Sequence, residues 1–327
     1  MPVISVTSLS KHYRVHQKDP GLSGSIKSFV RRKSYDVKAV DDINFLIGEG
    51  ELVGFLGPNG AGKTTTLKVL SGLLYPTKGE VSVLGFTPWR REPALQRQFS
   101  LVMGQKNQLW WDLPAMESLL LNKEIYDIPQ RQFHETLDEL VSLLDLEKLL
   151  NVQVRKLSLG ERMKCELVTA LLHRPRVLFL DEPTIGLDVV MQKKIREFIK
   201  EYNAFHHSTI LLTSHDMEDV EELCERIIII DRGNVIYDGR LDEIVSRYAK
   251  QKTLVVTFDK AVLPGALRDI GEVLSYDTLK VTLCVPRAET SARAALLLSR
   301  FAVADLTIEE PAVDDIIRDI FTGREAP

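Results

Sequence analysis

Gly57-Pro58-Asn59-Gly60-Ala61-Gly62-Lys63-Thr64 follows the apolar run Leu52 to Leu56 and precedes a helix-period stretch from Thr65 to Leu70. The spacing is G-x-x-x-x-G-K-T, and strand, glycine loop, helix is the context in which it works as a phosphate loop. The glycines let backbone N–H groups converge on phosphate oxygens at a helix N-terminus. Lys63 adds a point charge for β- and γ-phosphates, the Thr64 hydroxyl suits a Mg²⁺ ion, and Thr65 continues the binding loop. A glycine turn with an unrelated lysine is the plain alternative.

Working outward, Val177-Leu178-Phe179-Leu180-Asp181-Glu182 is a buried strand that delivers two carboxylates at its C-terminal end. Ligands bind at that end of strands in open α/β sheets. Asp181 suits the Mg²⁺ shell, and Glu182 suits the general base that polarises an attacking water. Other strand-length runs, Leu101 to Met103, Ile210 to Leu212 and Ile227 to Ile230, alternate with helical patterns. In the clearest helix Met191, Ile195, Phe198, Ile199 and Tyr202 share one face. This predicts an α/β P-loop fold with a parallel core sheet covered on both faces. Ile4 to Leu9 and Val37 to Ile47 read as strands of a smaller antiparallel layer, separated by a Lys-, Arg-, Ser- and Gly-rich insertion over residues 16–36. After about Lys250, Leu254, Val256 and Phe258, then Val281, Leu283 and Val285, alternate at period two. With helical stretches Ser291 to Arg300 and Val313 to Phe321 and a third strand near Leu306, they predict a small α+β domain. The expected domains are 1–247 and 248–327.

The bulk properties exclude several classes. A 327-residue chain with 44% hydrophobic and 27% charged residues is neither collagen-like, disordered nor a disulfide scaffold. A net charge of −4 gives no global attraction to nucleic acid, and no nucleic-acid partner is expected. Cys165, Cys224 and Cys284 lie in neither metal-ligand nor disulfide spacing, so a reducing compartment is expected. The start has no charged segment followed by an apolar one, and no apolar run is long enough to span a bilayer, so the expectation is neither secretion nor membrane integration.

Leu157-Ser158-Leu159-Gly160-Glu161 opens a helix that runs to about Leu172. With the phosphate loop, the Asp-Glu strand, Gln105, Asp188 and Ser214-His215 in this order, residues 1 to about 245 resemble an ABC-transporter nucleotide-binding subunit. The resemblance implies an ATPase with ATP and Mg²⁺. It implies a helical signature subdomain, and a head-to-tail dimer with a second copy in which Ser158 and Gly160 face the γ-phosphate held by the other subunit. It implies that Gln105 senses Mg²⁺ and the attacking water, that His215 contacts the γ-phosphate, that Asp188 joins the two sites, and that Tyr13 stacks on adenine. A helix N-terminus suits the signature role because its N–H groups and dipole favour an anion. The sequence departs from L-S-G-G-Q at Leu159 and Glu161. Ser158-x-x-Glu161 is also a capping box, which predicts that Glu161 turns back from the nucleotide, and a plain helix cap is the alternative reading. His206-His207 reads as a solvated helix end.

Trp110-Trp111-Asp112-Leu113 and the C-terminal Pro311-Ala312-Val313-Asp314-Asp315-Ile316-Ile317 resemble the daunorubicin-resistance branch of ABC exporters, in which the permeases are separate chains. The tryptophans form either core or an apolar socket for the permease. Lys18, Lys27, Arg31, Arg32 and Lys33, with Ile26, Phe29 and Val30 at helical spacing, resemble the amphipathic helix of polysaccharide and teichoic-acid exporter ATPases. Residues 25–33 then touch anionic lipid or the permease, or form a solvated basic loop. The expected protein is an ATP-hydrolysing subunit, peripheral on the cytoplasmic face of the cell membrane, that drives transmembrane permease subunits. The rival from another class is a soluble ABC ATPase of translation or DNA repair. A single phosphate loop and only about 118 residues between Lys63 and Asp181 argue against it. The apolar stripe Val313, Ile316, Ile317, Ile320 and Phe321 either covers its own sheet or packs on a twin domain or neighbouring cassette.

Overall fold

Strand β3 (Leu52–Leu56) carries the phosphate loop at its C-terminal end and lies inside a six-stranded sheet, flanked on both sides by parallel neighbours. A computed structural model describes residues 2–17, 33–104, 106–248 and 251–310, together with 313, 316, 317 and 321. Gln105, residues 25–32 of the basic segment and most of the C-terminal helical stretch, Ile320 included, lie outside the described residues. The described chain divides into two units, Met1–Asp238 and Gly239–Pro327.

In the first unit the sheet order is β5 (Phe99–Met103), β6 (Val177–Asp181), β7 (Thr209–Thr213), β3, β8 (Arg226–Asp231) and β9 (Asn234–Arg240). The near-continuous apolar β6, β7 and β8 are buried along almost their whole length, as strands covered on both faces must be. A second sheet, ordered β2 (Lys33–Ile47), β1 (Ile4–Gln17) and β4 (Lys78–Val83), is antiparallel throughout. Its arms are longer than the sequence pattern indicates. Pairing continues to Gln17↔Lys33, so residues 33–36 of the insertion belong to β2.

Helix α1 (Lys63–Leu70) joins the layers. Its Leu67, Val69 and Leu70 pack in one cluster with Ile4, Leu9 and Phe45 of the antiparallel sheet and Phe55, Phe179 and Ile230 of the parallel one. Burying each such side chain stabilises the fold by about 1.5–3 kcal/mol, so the loop between β3 and α1 is anchored at both ends. Among the described residues the remaining helices of this unit are the short α2 (Pro93–Gln96), then α3 (Ala115–Ile125), α4 (Gln130–Leu144), α5 (Leu159–Leu171), α6 (Val189–His206) and α7 (Met217–Leu223). Helices α3 to α5 follow one another between β5 and β6 and form the expected helical subdomain.

The second unit opens with α8 (Leu241–Tyr248) and holds β10 (Gln251–Phe258), β11 (Glu272–Asp277), β12 (Lys280–Pro286), α9 (Thr290–Arg300) and β13 (Val303–Glu309). Sheet order β11-β12-β10-β13, antiparallel throughout, is the split βαβ or ferredoxin-like arrangement. Its first crossover contains the single 3-10 turn Pro264–Leu267 in place of a full helix. Leu254, Val256, Phe258, Val281, Leu283 and Val285 form its core, as their alternation predicts, together with Leu297 of α9. Strand β11 is absent from the sequence-based reading because it is an edge strand with almost every side chain exposed. Ile316 and Ile317 of the C-terminal stripe are buried.

Candidate functional site

The phosphate loop has a shape that side chains would prevent. A Cβ at Gly57 would lie 2.2 Å from the Ile230 carbonyl oxygen. At Gly62, with φ of +113°, it would lie 2.4 Å from the Ala39 carbonyl oxygen. Gly62 is also the N-cap of α1, so no side chain caps this terminus and no acidic residue stands in its first turn. The first N–H groups of the helix are left for a ligand. The buried Lys63 ammonium lies in the mouth of the loop and donates to the Gly57 carbonyl at 2.5 Å and the Pro58 carbonyl at 3.3 Å. Burial pulls its pKa below the ordinary lysine value, while the charges of Glu182 and Asp181 oppose that shift.

The carboxyl ends of β6 and β7 complete the site. Thr64 Oγ1 donates to the Asp181 carboxylate at 3.0 and 3.2 Å, and Thr213 Oγ1 donates to the same group at 2.7 Å. Next along the chain, Glu182 adopts φ of +55°, a left-handed conformation that costs a non-glycine residue about 1–3 kcal/mol. The surroundings hold it there: its N–H bonds the Thr213 carbonyl at 3.0 Å, and a Cβ on Gly104 would lie 2.1 Å from its carbonyl oxygen. His215 Nδ1 stands 3.2 Å from Glu182 Oε2. Together Asn59, Thr64, Asp181, Glu182 and His215 line a cavity of about 490 Å³, joined by Lys68, Met103, Lys106 and Ile185.

Sequence reasoning missed Lys68 and Lys106. Lys68 had a signal, since it lies one helical turn beyond Thr64 and therefore on the same face of α1. Tyr13 of β1 is paired with Val37 of β2, carries Lys11 at 5.1 Å from its ring centroid, and is not among the residues that line this cavity.

The expected residues suit a Mg²⁺ ion. Thr64 and Asp181 offer one hydroxyl and one carboxylate side by side, a hard oxygen set of the kind that leaves the other positions to phosphate and water. Among the described residues no group of three His, Cys, Asp or Glu could hold a metal by itself.

The signature segment starts α5, and the capping box forms. Glu161 N–H donates to Ser158 Oγ at 3.3 Å, while Ser158 N–H and Oγ each donate to Glu161 Oε2 at 2.8 Å. Gly160 leaves room for Met191, whose Cγ would lie 2.6 Å from a Cβ there. Asp188 is the N-cap of α6 and accepts from the Met191 N–H at 3.0 Å. These residues therefore share one locality, and the structure separates none of them from its neighbours.

Several side chains here make contacts that composition hides. Buried Glu166 of α5 accepts the N–H groups of Gln108 and Leu109 at 2.8 and 3.3 Å, binding the signature helix to the segment before the tryptophans. Burial pushes its pKa up, against the pull of those N–H groups. Arg162 stacks over Trp111 at 5.4 Å. Trp110 and Trp111 are 52% and 47% exposed, which rules out the core-packing alternative for them. His206 is not a solvated helix end: its side chain is 15% exposed and its Nε2 lies 2.8 Å from Glu139 Oε1.

Comparison with known proteins agrees with this geometry. Residues 40–185 match the ABC transporter family, and residues 250–309 match the EvrA-like ABC transporter C-terminal domain. The ATP-binding protein NatA of Bacillus subtilis is 35% identical over 64% of this chain and 84% of its own. The linearmycin resistance ATP-binding protein LnrL of Bacillus subtilis is 30% identical over 90% of this chain and 96% of its own. The chain belongs to the ABC-transporter ATP-binding proteins. Another member, the daunorubicin resistance ATP-binding protein DrrA3 of Streptomyces coeruleorubidus, is 31% identical over 86% of this chain and 90% of its own. Among solved structures, the dimeric ATP-binding cassette MJ0796 in a post-hydrolysis state with ADP and Pi superimposes with a TM-score of 0.60. It has 25% identity and covers 72% of this chain and 98% of its own. The protein is thus an ATP-binding, ATP-hydrolysing subunit similar to those of exporter-type transporters. Members of this family form dimers and work with transmembrane components. No helix among the described residues is long and apolar enough to cross a membrane.

Proposed function

We propose that the chain hydrolyses ATP in the 490 Å³ cavity as half of a head-to-tail dimer, and drives separate exporter permease chains from the cytoplasmic face of the membrane. The observation that carries this reading is the Glu182–His215 pair at 3.2 Å, facing the same cavity as the phosphate loop. The loop N–H groups and Lys63 bind the phosphates, and Tyr13 stacks on the adenine. Thr64, Asp181 and Gln105 hold Mg²⁺, which when bound neutralises phosphate charge. Glu182 takes a proton from water as its oxygen bonds the γ-phosphorus and the bond to the bridging oxygen breaks. His215 orients that carboxylate and contacts the γ-phosphate. Ser158 and Gly160 meet the ATP of the partner copy, with Asp188 linking the two sites.

Exposed Trp110 and Trp111, beside Leu113, with Glu166 accepting the preceding Gln108 and Leu109 N–H groups and Arg162 over the Trp111 ring, support docking of a permease segment. The basic residues 25–33 support a contact with anionic lipid, and the overall charge of −4 favours no nucleic-acid partner. The exporter relatives support a drug-like cargo, bound by the permease rather than by this chain. Replacing Glu182 by Gln is the test. ATP binding is retained and turnover falls about a hundredfold or more; wild-type turnover would remove Glu182 from the chemistry.

A further inference from the structure

We propose that Asp219, which lines no part of the cavity, is a positioning residue for hydrolysis: it sets the Glu182–His215 pair and ties that pair to helix α6. The inference rests on the hydrolysis reading above. Asp219 belongs to α7 and is 0% exposed. A carboxylate so buried is tolerated only when its oxygens are satisfied. Its Oδ2 accepts from Ser214 Oγ at 2.7 Å and from Thr184 Oγ1, and its Oδ1 accepts from Arg196 Nη1 at 3.2 Å.

Each donor belongs to a working segment. Ser214 directly precedes His215, Thr184 stands two residues after Glu182, and Arg196 lies on α6, whose N-cap is Asp188. One oxygen therefore fastens the two loops that bring the general base and its histidine together. That fastening is needed. Glu182 holds a left-handed backbone conformation, and the His215 side chain is 56% exposed, so packing around the ring does not fix it. Ser214 Oγ also accepts the Asp216 N–H at 3.0 Å, which shapes the turn after His215.

A purely structural reading makes Asp219 the counter-ion that pins α6 to α7. That need is already met, because Arg196 also donates to Glu222 at 2.9 Å and Glu218 at 3.0 Å. What Asp219 alone supplies is the pair of hydroxyl contacts to the catalytic loops. A small shift of a reacting group costs about a hundredfold in rate, so loosening these contacts acts on turnover before it acts on binding.

The test uses the full chain with Thr184→Val, Ser214→Ala, Asp219→Asn and Asp219→Ala, beside Glu182→Gln as reference. Thr184→Val and Ser214→Ala each delete one hydroxyl arm with little change of volume, and carry the test if the Asp219 variants do not fold. For folded variants the expected result is a kcat about tenfold or more below wild type with KM for ATP unchanged. Asp219→Asn falls less than Asp219→Ala, because its amide oxygen still accepts both hydroxyls. Wild-type kcat in folded Thr184→Val and Ser214→Ala, with Glu182→Gln inactive, would overturn the proposal alone. Equal losses in kcat/KM and in ATP binding would also overturn it, by making the network structural. Wild-type turnover in Glu182→Gln would overturn both readings.

Discussion

Two helix N-termini in this protein are built for the same kind of ligand and finished in opposite ways. Helix α1 begins at Gly62 with no side-chain cap and no acid in its first turn. Helix α5 begins at Ser158 with a closed capping box and Glu161 inside it. The first terminus is completed by whatever phosphate it binds. The second satisfies its own donors and carries a negative charge where a phosphate of the partner's ATP is expected. In the proposed function, phosphate affinity therefore resides at α1 in each separate chain. In the same proposal the α5 terminus contributes only on dimerisation, with Glu161 turned into its own capping box.

The largest effect is expected at the open end. Lys63→Ala removes the buried ammonium from the loop mouth, and ATP affinity in a fluorescent-nucleotide titration should fall about tenfold to a hundredfold, the value of a charge-assisted hydrogen bond. Unchanged affinity would place the phosphates elsewhere. At the closed end, Gly160→Ala drives a Cβ to 2.6 Å from Met191 Cγ. Overpacking of this kind costs about 1–3 kcal/mol, read as a lower midpoint in thermal or urea unfolding, while ATP affinity of the monomer stays as it is. A variant as stable as the parent would show that Met191 yields freely. Glu161→Gln is the mildest change, because glutamine also closes a capping box. Stability should drop by about 0.3–1 kcal/mol as the dipole loses its anion. ATP-dependent association measured at low salt should strengthen. Weaker association would mean that the carboxylate helps the interface.

Much of this contrast is legible in the sequence because both termini are local. The spacing from Gly57 to Thr64 and from Ser158 to Glu161 is decided within one turn. The Glu182–His215 pair is also foreseeable, since both residues follow buried apolar strands that must end at the same edge of a parallel sheet. What escapes is set by partners far along the chain. Asp219 sits in Met217-Glu218-Asp219, and its partners Arg196, Thr184 and Ser214 come from other elements. Glu166 has a period suited to core or surface alike, and its burial depends on the N–H groups of Gln108 and Leu109. Strands β9 and β11 escape because exposed sheet strands carry weak hydrophobic patterns.

In the proposed dimer, the site that holds ATP at the open terminus of one chain is completed by the closed terminus of another. Sedimentation of Glu182→Gln with and without Mg²⁺-ATP tests it most directly. The expected result is a monomer without nucleotide and a dimer with it, the dimer being lost when Lys63→Ala is added. A chain that binds ATP fully and stays monomeric at every protein concentration would contradict it.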